Sequence, residues 1–334
     1  MIERYHLPAL MASTAVHVAA CVDSELARAQ MTARRVGAAL ACSSHRDLPG
    51  NVDAAIVAVP NEDHADVAAE LLRAGVHVLV EKPMAVDVVE CDRMMAAASS
   101  TGTVLAVGHD FRHFPIATFA RHLFAAGALG PVRAVDVRQT AGTRWPACSP
   151  RALMPAAGGG VLLSFGIHLL DLMSWWFGDL HPVRYSDDAA GGVEADCSCD
   201  CVLSNGAPVH LELSRRRKLR DTFVVRCERG TIELGLYEPA IVHLTLPSGG
   251  CRLAGFVPDA AFTRAPMQTV FRRQLSDFID AIHEQRKPLV GATEGRRAVE
   301  LVQACYRLRR SLRQPWDFPE AYGVPATASR SHAG

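Results

Sequence analysis

Eight residues, Val52 to Val59, carry a single charged side chain, Asp53, and stop at Pro60. A run this short and this apolar, closed by a residue without a backbone N–H, suits a strand buried on both faces, as in a parallel sheet covered by helices on each side. The flanking sequence repeats the pattern. Val16 to Val22 reads as a strand ending at Asp23, followed by a helix with Leu26, Ala29, Ala33 and Val36 on its apolar side. Beyond Pro60, His64 to Ala74 has helical periodicity and closes at Gly75. Val76 to Val80 is a second buried strand, ended by Glu81-Lys82-Pro83. A helix over Val86 to Ser99 and a strand over Thr103 to Val107 come next. Strands alternating with helices over about a hundred residues predict a doubly wound α/β domain.

After Phe111-Arg112-His113-Phe114-Pro115 the pattern changes. Ile116 to Ala125 is a helix, Val132 to Gln139 alternates as a strand with one wet face would, and Gly158-Gly159-Gly160 leads into a helix over Val161 to Phe177. Half-exposed strands come next: Cys197 to Leu203 and Pro208 to Ser214 joined by Asn205-Gly206, then Thr222 to Cys227 and Thr231 to Leu236 across Gly230. These predict a large, mostly antiparallel open sheet. Helices return over Val270 to Glu284 and Glu294 to Arg310. The expected units are residues 1–117, 118–320 and a Ser/Ala/Gly-rich tail, 321–334, that reads as disordered.

Charge and hydropathy narrow the function. Lys+Arg and Asp+Glu both number 35, so no broad basic surface points to nucleic acid or an anionic membrane. No apolar run approaches the roughly 18 residues of a membrane span, and Glu3, Arg4, His6 and Pro8 make a poor export signal, so the expected location is the cytoplasm. The ten cysteines then read as reduced thiols. Cys197, Cys199 and Cys201 alternate along one strand and share a face. Strand positions this close splay badly around a tetrahedral ion, so a small apolar face is expected there and no metal site.

Ligands of an open parallel sheet sit outside the carboxyl ends of its strands. Asp23, Pro60-Asn61 and Glu81-Lys82-Pro83 all fall at such ends. Individually each has a bland reading as a turn or solvated residue; one crevice collecting them all is the sharper one. A second group, Ser164, His168 and Asp171, shares one helix face at i, i+4 and i+7. A hydrolase triad is excluded, because its serine needs an exposed turn and a base from another element. His168 among leucines is otherwise a core histidine. Arg215-Arg216-Arg217-Lys218-Leu219-Arg220 is either a solvated strand end or a place where one or two guanidinium groups grip a substrate anion.

Val57-Ala58-Val59-Pro60-Asn61-x-x-His64, Glu81-Lys82-Pro83 and Gly158-Gly159-Gly160 with Gly166-x-His168-x-x-Asp171 together resemble the Gfo/Idh/MocA oxidoreductases. So do Asn205-Gly206-Ala207 and Glu228-Arg229-Gly230-Thr231-Ile232, with the motifs in the family's order from about Glu3 to Trp316. The resemblance implies a Rossmann-like domain followed by a substrate and oligomerisation domain on a large sheet. It implies NAD or NADP as cofactor, hydride transfer at a carbon of a sugar, nucleotide sugar or cyclic polyol, and a homo-oligomer associating through the second sheet. By position, Lys82 would sit beside nicotinamide and substrate and His168 would be the proton donor and acceptor. Asp171 would fix the His168 tautomer or be structural. Asp23 would hold the adenosine ribose and favour NAD, since a carboxylate repels the 2′-phosphate. Pro60, Asn61, His64 and Glu81 would line the cofactor; Arg112, Arg144, Trp145, Ser164 and Asp171 would line the substrate.

Two departures qualify this. Ser164 stands where the family usually has an Asp, four residues before the histidine. The family's opening strand and G-x-G-x-x-G turn, whose amides hold the pyrophosphate, have no counterpart before Glu3-Arg4-Tyr5-His6-Leu7-Pro8. Either the reading frame begins too late, which the retention of Asp23 and Lys82 favours, or ordinary dinucleotide binding has been given up. The second case would make the chain a cofactor-free lyase or isomerase using Lys82 and His168, or a binding or partner subunit.

Overall fold

The computed structural model describes residues 2–141, 159–189, 192–236, 241–254 and 266–312. Arg144, Trp145, Gly158 and the 321–334 tail lie outside the described residues.

A π-helical turn, Ile2–His6, runs into α1 (Leu7–Met11). β1 (Ala20–Val22), α2 (Leu26–Val36) and β2 (Leu40–Cys42) come after it, and β1 and β2 pair in parallel. β3 (Ala54–Val57), α3 (His64–Arg73), β4 (His77–Val80), α4 (Val88–Thr101) and β5 (Leu105–Val107) build a second parallel sheet in the order β3-β4-β5. The expected α/β winding is present, with one correction. Its strands form two separate sheets, since among the described residues no backbone ladder joins β1 to β3, and Ser13 to Ala19 adopts no strand. The strand expected from Val16 accordingly starts at Ala20.

α5 (Pro115–Ala125) leads into nine strands: β6 (Val132–Thr140), β7 (Leu180–Asp187), β8 (Asp196–Leu203), β9 (Pro208–Ser214), β10 (Thr222–Cys227), β11 (Gly230–Leu234), β12 (Ile241–Leu246), β13 (Gly249–Ala254) and β14 (Arg309–Ser311). Their order is β13-β12-β11-β10-β6-β9-β8-β7-β14, antiparallel except for β6–β9 and β7–β14. Sequence reading misses β2, β7, β14 and the β12–β13 hairpin, which are short or lack an apolar alternation strong enough to stand out.

α6 (Ile167–Phe177) and α8 (Ala292–Arg307) cover the inner face of this sheet, and α8 also packs on α4 and β5. One apolar cluster therefore runs without a break from Cys42 to Cys305. α7 (Pro266–His283) covers the first strands from the other side. Phe271, Leu275 and Ile279 meet Ala9 and Ile56, and Tyr5 stacks on Phe271 at 4.9 Å between ring centres. Cys197, Cys199 and Cys201 are buried on the inner face of β8, where Cys199 Sγ lies 3.4 Å from both Cys201 Sγ and Cys305 Sγ. Burial pushes the Cys197 thiol up; the Cys201 thiol and burial do the same to Cys199 against an opposing contact from Cys305, so both behave as small apolar groups. The outward face is polar. Asp200 pairs with Arg184 and His210, and Arg217 with Glu212. No helix among the described residues is long and apolar enough to cross a membrane.

Candidate active site

Parallel pairing aligns Val57, Val80 and Val107, so β3, β4 and β5 release their chains at one edge. Each strand exit then does something different. Pro60 and Asn61 turn into α3, Glu81-Lys82-Pro83 turns through a cis Lys82–Pro83 bond, and Gly108-His109 leads into a tight helical turn, Asp110–His113. The last two turns touch. A Cβ on Gly108 would come within 3.1 Å of Glu81 Cα and 3.2 Å of the Lys82 nitrogen, so a larger residue would have to push the two turns slightly apart.

Lys82 reaches across to the second half of the chain. Its ammonium donates to the Ser164 carbonyl at 2.6 Å, one turn before His168. Ser164 lies in a π-helical turn, Leu162–Gly166, that α6 continues. Its hydroxyl donates to Gly160 O and accepts from Arg215 Nη2 at 2.6 Å. Gly160 has φ +108°, and a Cβ there would drive into the Glu194 carboxylate, which accepts from the Leu162 amide (2.9 Å) and the Tyr306 hydroxyl (2.9 Å). Buried Glu194 thus anchors the start of the helix that carries His168.

His168 is gripped by the turn after β5. Phe111 stacks on its ring at 4.4 Å and 17°, and the His109 ring meets it edge-on at 5.5 Å. Asp110 Oδ1 stands 3.3 Å from Nδ1, close but not aligned as a hydrogen bond. Burial, then Lys82 and His109, holds His168 well below the usual histidine range, so its resting form is the neutral imidazole. Burial lowers Lys82 too, reinforced by Arg215 and opposed by Glu81 and Asp110. Asp110 is pushed up to about 7 by burial and by Glu81, and burial takes His109 down to about 4.

Several candidates are held by other residues. Of the two readings of Asp171, the structural one fits its partners: both its oxygens accept from Arg112, at 2.8 Å from Nε and 2.6 Å from Nη2. Arg112 is further engaged: Nη1 donates to Leu289 O at 3.3 Å and the guanidinium lies over Trp175, 5.4 Å from the ring centre. The pair is a buried brace between the β5 turn and α6. His64 is engaged through both ring nitrogens by backbone carbonyls, Nδ1 with Pro83 O at 2.8 Å and Nε2 with Val59 O at 3.0 Å, so it ties two strand exits together. Glu81 is buried against His6 (2.7 Å). Burial pushes its carboxyl up, but His6 and Lys82 outweigh that and leave it below the usual range.

The remaining candidates are scattered more widely. Asp23, at the end of β1, accepts one bond from the Glu25 amide at 2.9 Å. Within the basic run, Arg216 and Arg217 pair with Asp196 and Arg220 with Glu233, whereas Arg215 turns to Ser164. Sequence reasoning missed His109, Asp110 and Glu194. The first two come after a buried strand at the same edge as Lys82, and that position was the available signal. A lone glutamate in a loop gives none.

A family model described as "Oxidoreductase family, NAD-binding Rossmann fold" matches residues 1–109, and one for the GFO/IDH/MocA C-terminal domain matches 118–233. A putative UDP-kanosamine synthase oxidoreductase subunit of Amycolatopsis mediterranei is 35% identical over 185 residues, 52% of this chain and 48% of that protein. A dTDP-3,4-didehydro-2,6-dideoxy-α-D-glucose 3-reductase of Streptomyces violaceoruber is 33% identical over 186 residues, 54% and 53% of the two chains. The chain thus spans about half the length of these curated relatives. The crystal structure of a 3-ketoreductase from Actinomadura kijaniata, in complex with NADP and TDP-benzene, superposes with a TM-score of 0.80 at 23% identity, over 94% of this chain and 96% of that one.

Proposed function

The chain belongs to the Gfo/Idh/MocA family of NAD(P)-binding oxidoreductases, and on that premise we propose that it moves a hydride to or from a carbon bearing oxygen on a sugar or nucleotide sugar. The observation that carries this reading is the meeting of Lys82, from a β4 exit, with the helix start that carries His168, 86 residues later, in one buried site. Curated relatives named for dTDP- and UDP-sugar chemistry support the substrate class.

The chain's own groups divide the work. Lys82 donates to the substrate oxygen on which negative charge develops. His168, neutral at rest, accepts the hydroxyl proton in oxidation and returns it to the alkoxide oxygen in reduction. A bound nicotinamide dinucleotide supplies or accepts the hydride. Asp23, a partly exposed carboxylate with one internal bond, fits the ribose hydroxyls, and Lys82 fits the nicotinamide end. The described residues include no glycine-rich turn for the pyrophosphate. A cytoplasmic enzyme associating through the outer face of the nine-stranded sheet completes the proposal. The free thiols among the described residues suit a reducing compartment, and Val183, on that sheet, is 56% exposed.

The test is absorbance at 340 nm with NADH or NADPH and a panel of keto-sugars and nucleotide sugars. Oxidation of either cofactor by a panel member is the expected result. No dinucleotide binding by calorimetry would overturn the proposal in favour of a lyase, isomerase or partner subunit. NADH should bind at least about tenfold more tightly than NADPH, about 1.4 kcal/mol, if the Asp23 carboxylate holds the ribose, since it would then repel a 2′-phosphate. Asp23→Ala should narrow that ratio in the same calorimetric titration, and an unchanged ratio would remove Asp23 from the ribose site.

A further inference from the structure

We propose that Asp110 is the positioning carboxyl of this site, holding the His168 imidazole from its Nδ1 side and balancing the Lys82 ammonium, in place of a carboxylate at position 164. The proposal rests on the oxidoreductase reading for its kinetic consequence, but not for its geometry.

Asp110 opens the turn Asp110–His113 and is buried, with Oδ1 3.3 Å from His168 Nδ1. That nitrogen is itself buried and has no aligned hydrogen-bond partner, which a small ring rotation toward Asp110 would supply. The adjacent residue, Phe111, lies flat on the same ring, so one turn fixes the imidazole by face and by edge. The neighbouring carboxylates and hydroxyl are engaged elsewhere: Asp171 with Arg112, Glu81 with His6, and the Ser164 hydroxyl with Gly160 and Arg215.

The charged and titratable groups facing Asp110 are Glu81 and Lys82 from the β4 exit and His168 from α6. His109 and Arg112 flank it on its own turn, and Arg215 from the end of β9 acts on Lys82. Burial and Glu81 push the Asp110 carboxyl up to about 7. It is therefore neutral in acid and becomes a carboxylate as pH rises through that value. When His168 takes a substrate proton on Nε2, its Nδ1–H acquires a share of positive charge that the Asp110 carboxylate stabilises. Asp110 also sustains the ammonium form of Lys82 against burial.

The experiment is Asp110→Asn in the full chain. Its kcat should fall about 10- to 10²-fold with KM changed less than about threefold, and the limb of the kcat–pH profile near 7 should disappear. In the cofactor-free protein, ¹⁵N NMR should show a displaced His168 Nδ1 resonance, which a merely structural role would leave in place. That reading needs neither substrate nor dinucleotide, so it decides the Asp110 proposal even if the oxidoreductase reading fails. If the variant does not fold, His168→Gln is used instead, and the ¹³C titration midpoint of the Asp110 carboxyl must move. An unmoved resonance or midpoint overturns the proposal.

Discussion

Lys82→Met is expected to lower kcat by about 10²- to 10⁴-fold with the melting temperature within a few degrees of wild type, and His168→Asn to do the same. Methionine keeps the unbranched stem of Lys82 and removes an ammonium whose burial is unfavourable, so the fold loses little; the loss is the charged donor beside Ser164 O. The pH dependence comes from the same burial. Burial lowers the Lys82 pKa, so turnover should fall as pH rises through a value below the ordinary amine range, where the amine goes neutral. For His168, also lowered by burial, a further loss of oxidation is expected at pH well below 6.5, where the imidazole is already protonated, beneath the limb near 7 that belongs to Asp110. Steady-state rates across pH on wild type and both variants check this. Retention of more than a tenth of turnover by Lys82→Met would remove the lysine from the chemistry. A collapse of folding in His168→Asn would make that residue a core histidine stacked on Phe111.

The strand exits were legible because a both-sides-buried strand announces itself as an apolar run with a hard stop. Val52 to Val59 shortened at both ends to Ala54–Val57, two residues short of Val59, whereas β4 and β5 ended at Val80 and Val107, as the sequence indicates. Strand length is less legible than strand end, since ladder pairing, not apolarity, sets where a strand begins. β1 illustrates this: Val16 to Ala19 continues toward Ala20–Val22, but beyond the Ala19 carbonyl, which accepts from Leu40, it makes no strand pairing among the described residues, and the ladder starts at Ala20.

Pairing between side chains was the part that periodicity could not reach. The i, i+4, i+7 spacing put Ser164, His168 and Asp171 on one helical segment, and from there Asp171 could be read equally as the partner of the histidine or as structural. Position along one helix says nothing about the groups that approach from another element. The turn after β5 brings both Asp110 and Arg112 to α6, so Asp110 faces the imidazole and Arg112 captures Asp171. The same holds for the basic run, where four arginines look alike in sequence and three are drawn off by Asp196, Glu212 and Glu233. The fourth, Arg215, turns to Ser164.

Arg112→Met should destabilise the protein by about 3–5 kcal/mol, the largest stability loss expected from a single substitution at this site. Both Arg112 and Asp171 are buried, and the guanidinium satisfies the two Asp171 oxygens at once. Removing it leaves a carboxylate without water or counter-charge, and that orphaned charge, not the lost attraction, accounts for most of the effect. The double variant Arg112→Met with Asp171→Leu should therefore recover most of the loss, since it removes the second charge as well. Denaturant unfolding of the wild type, both single variants and the double variant measures this as a coupling energy. A substrate-binding Arg112 would behave in the opposite way: the single variant would keep its stability and raise KM, and Asp171→Leu would have nothing to rescue. The double variant also separates bracing from chemistry. If Arg112 and Asp171 only hold the β5 turn against α6, an apolar pair of similar volume should keep Phe111 and Asp110 on His168, and turnover should return with stability.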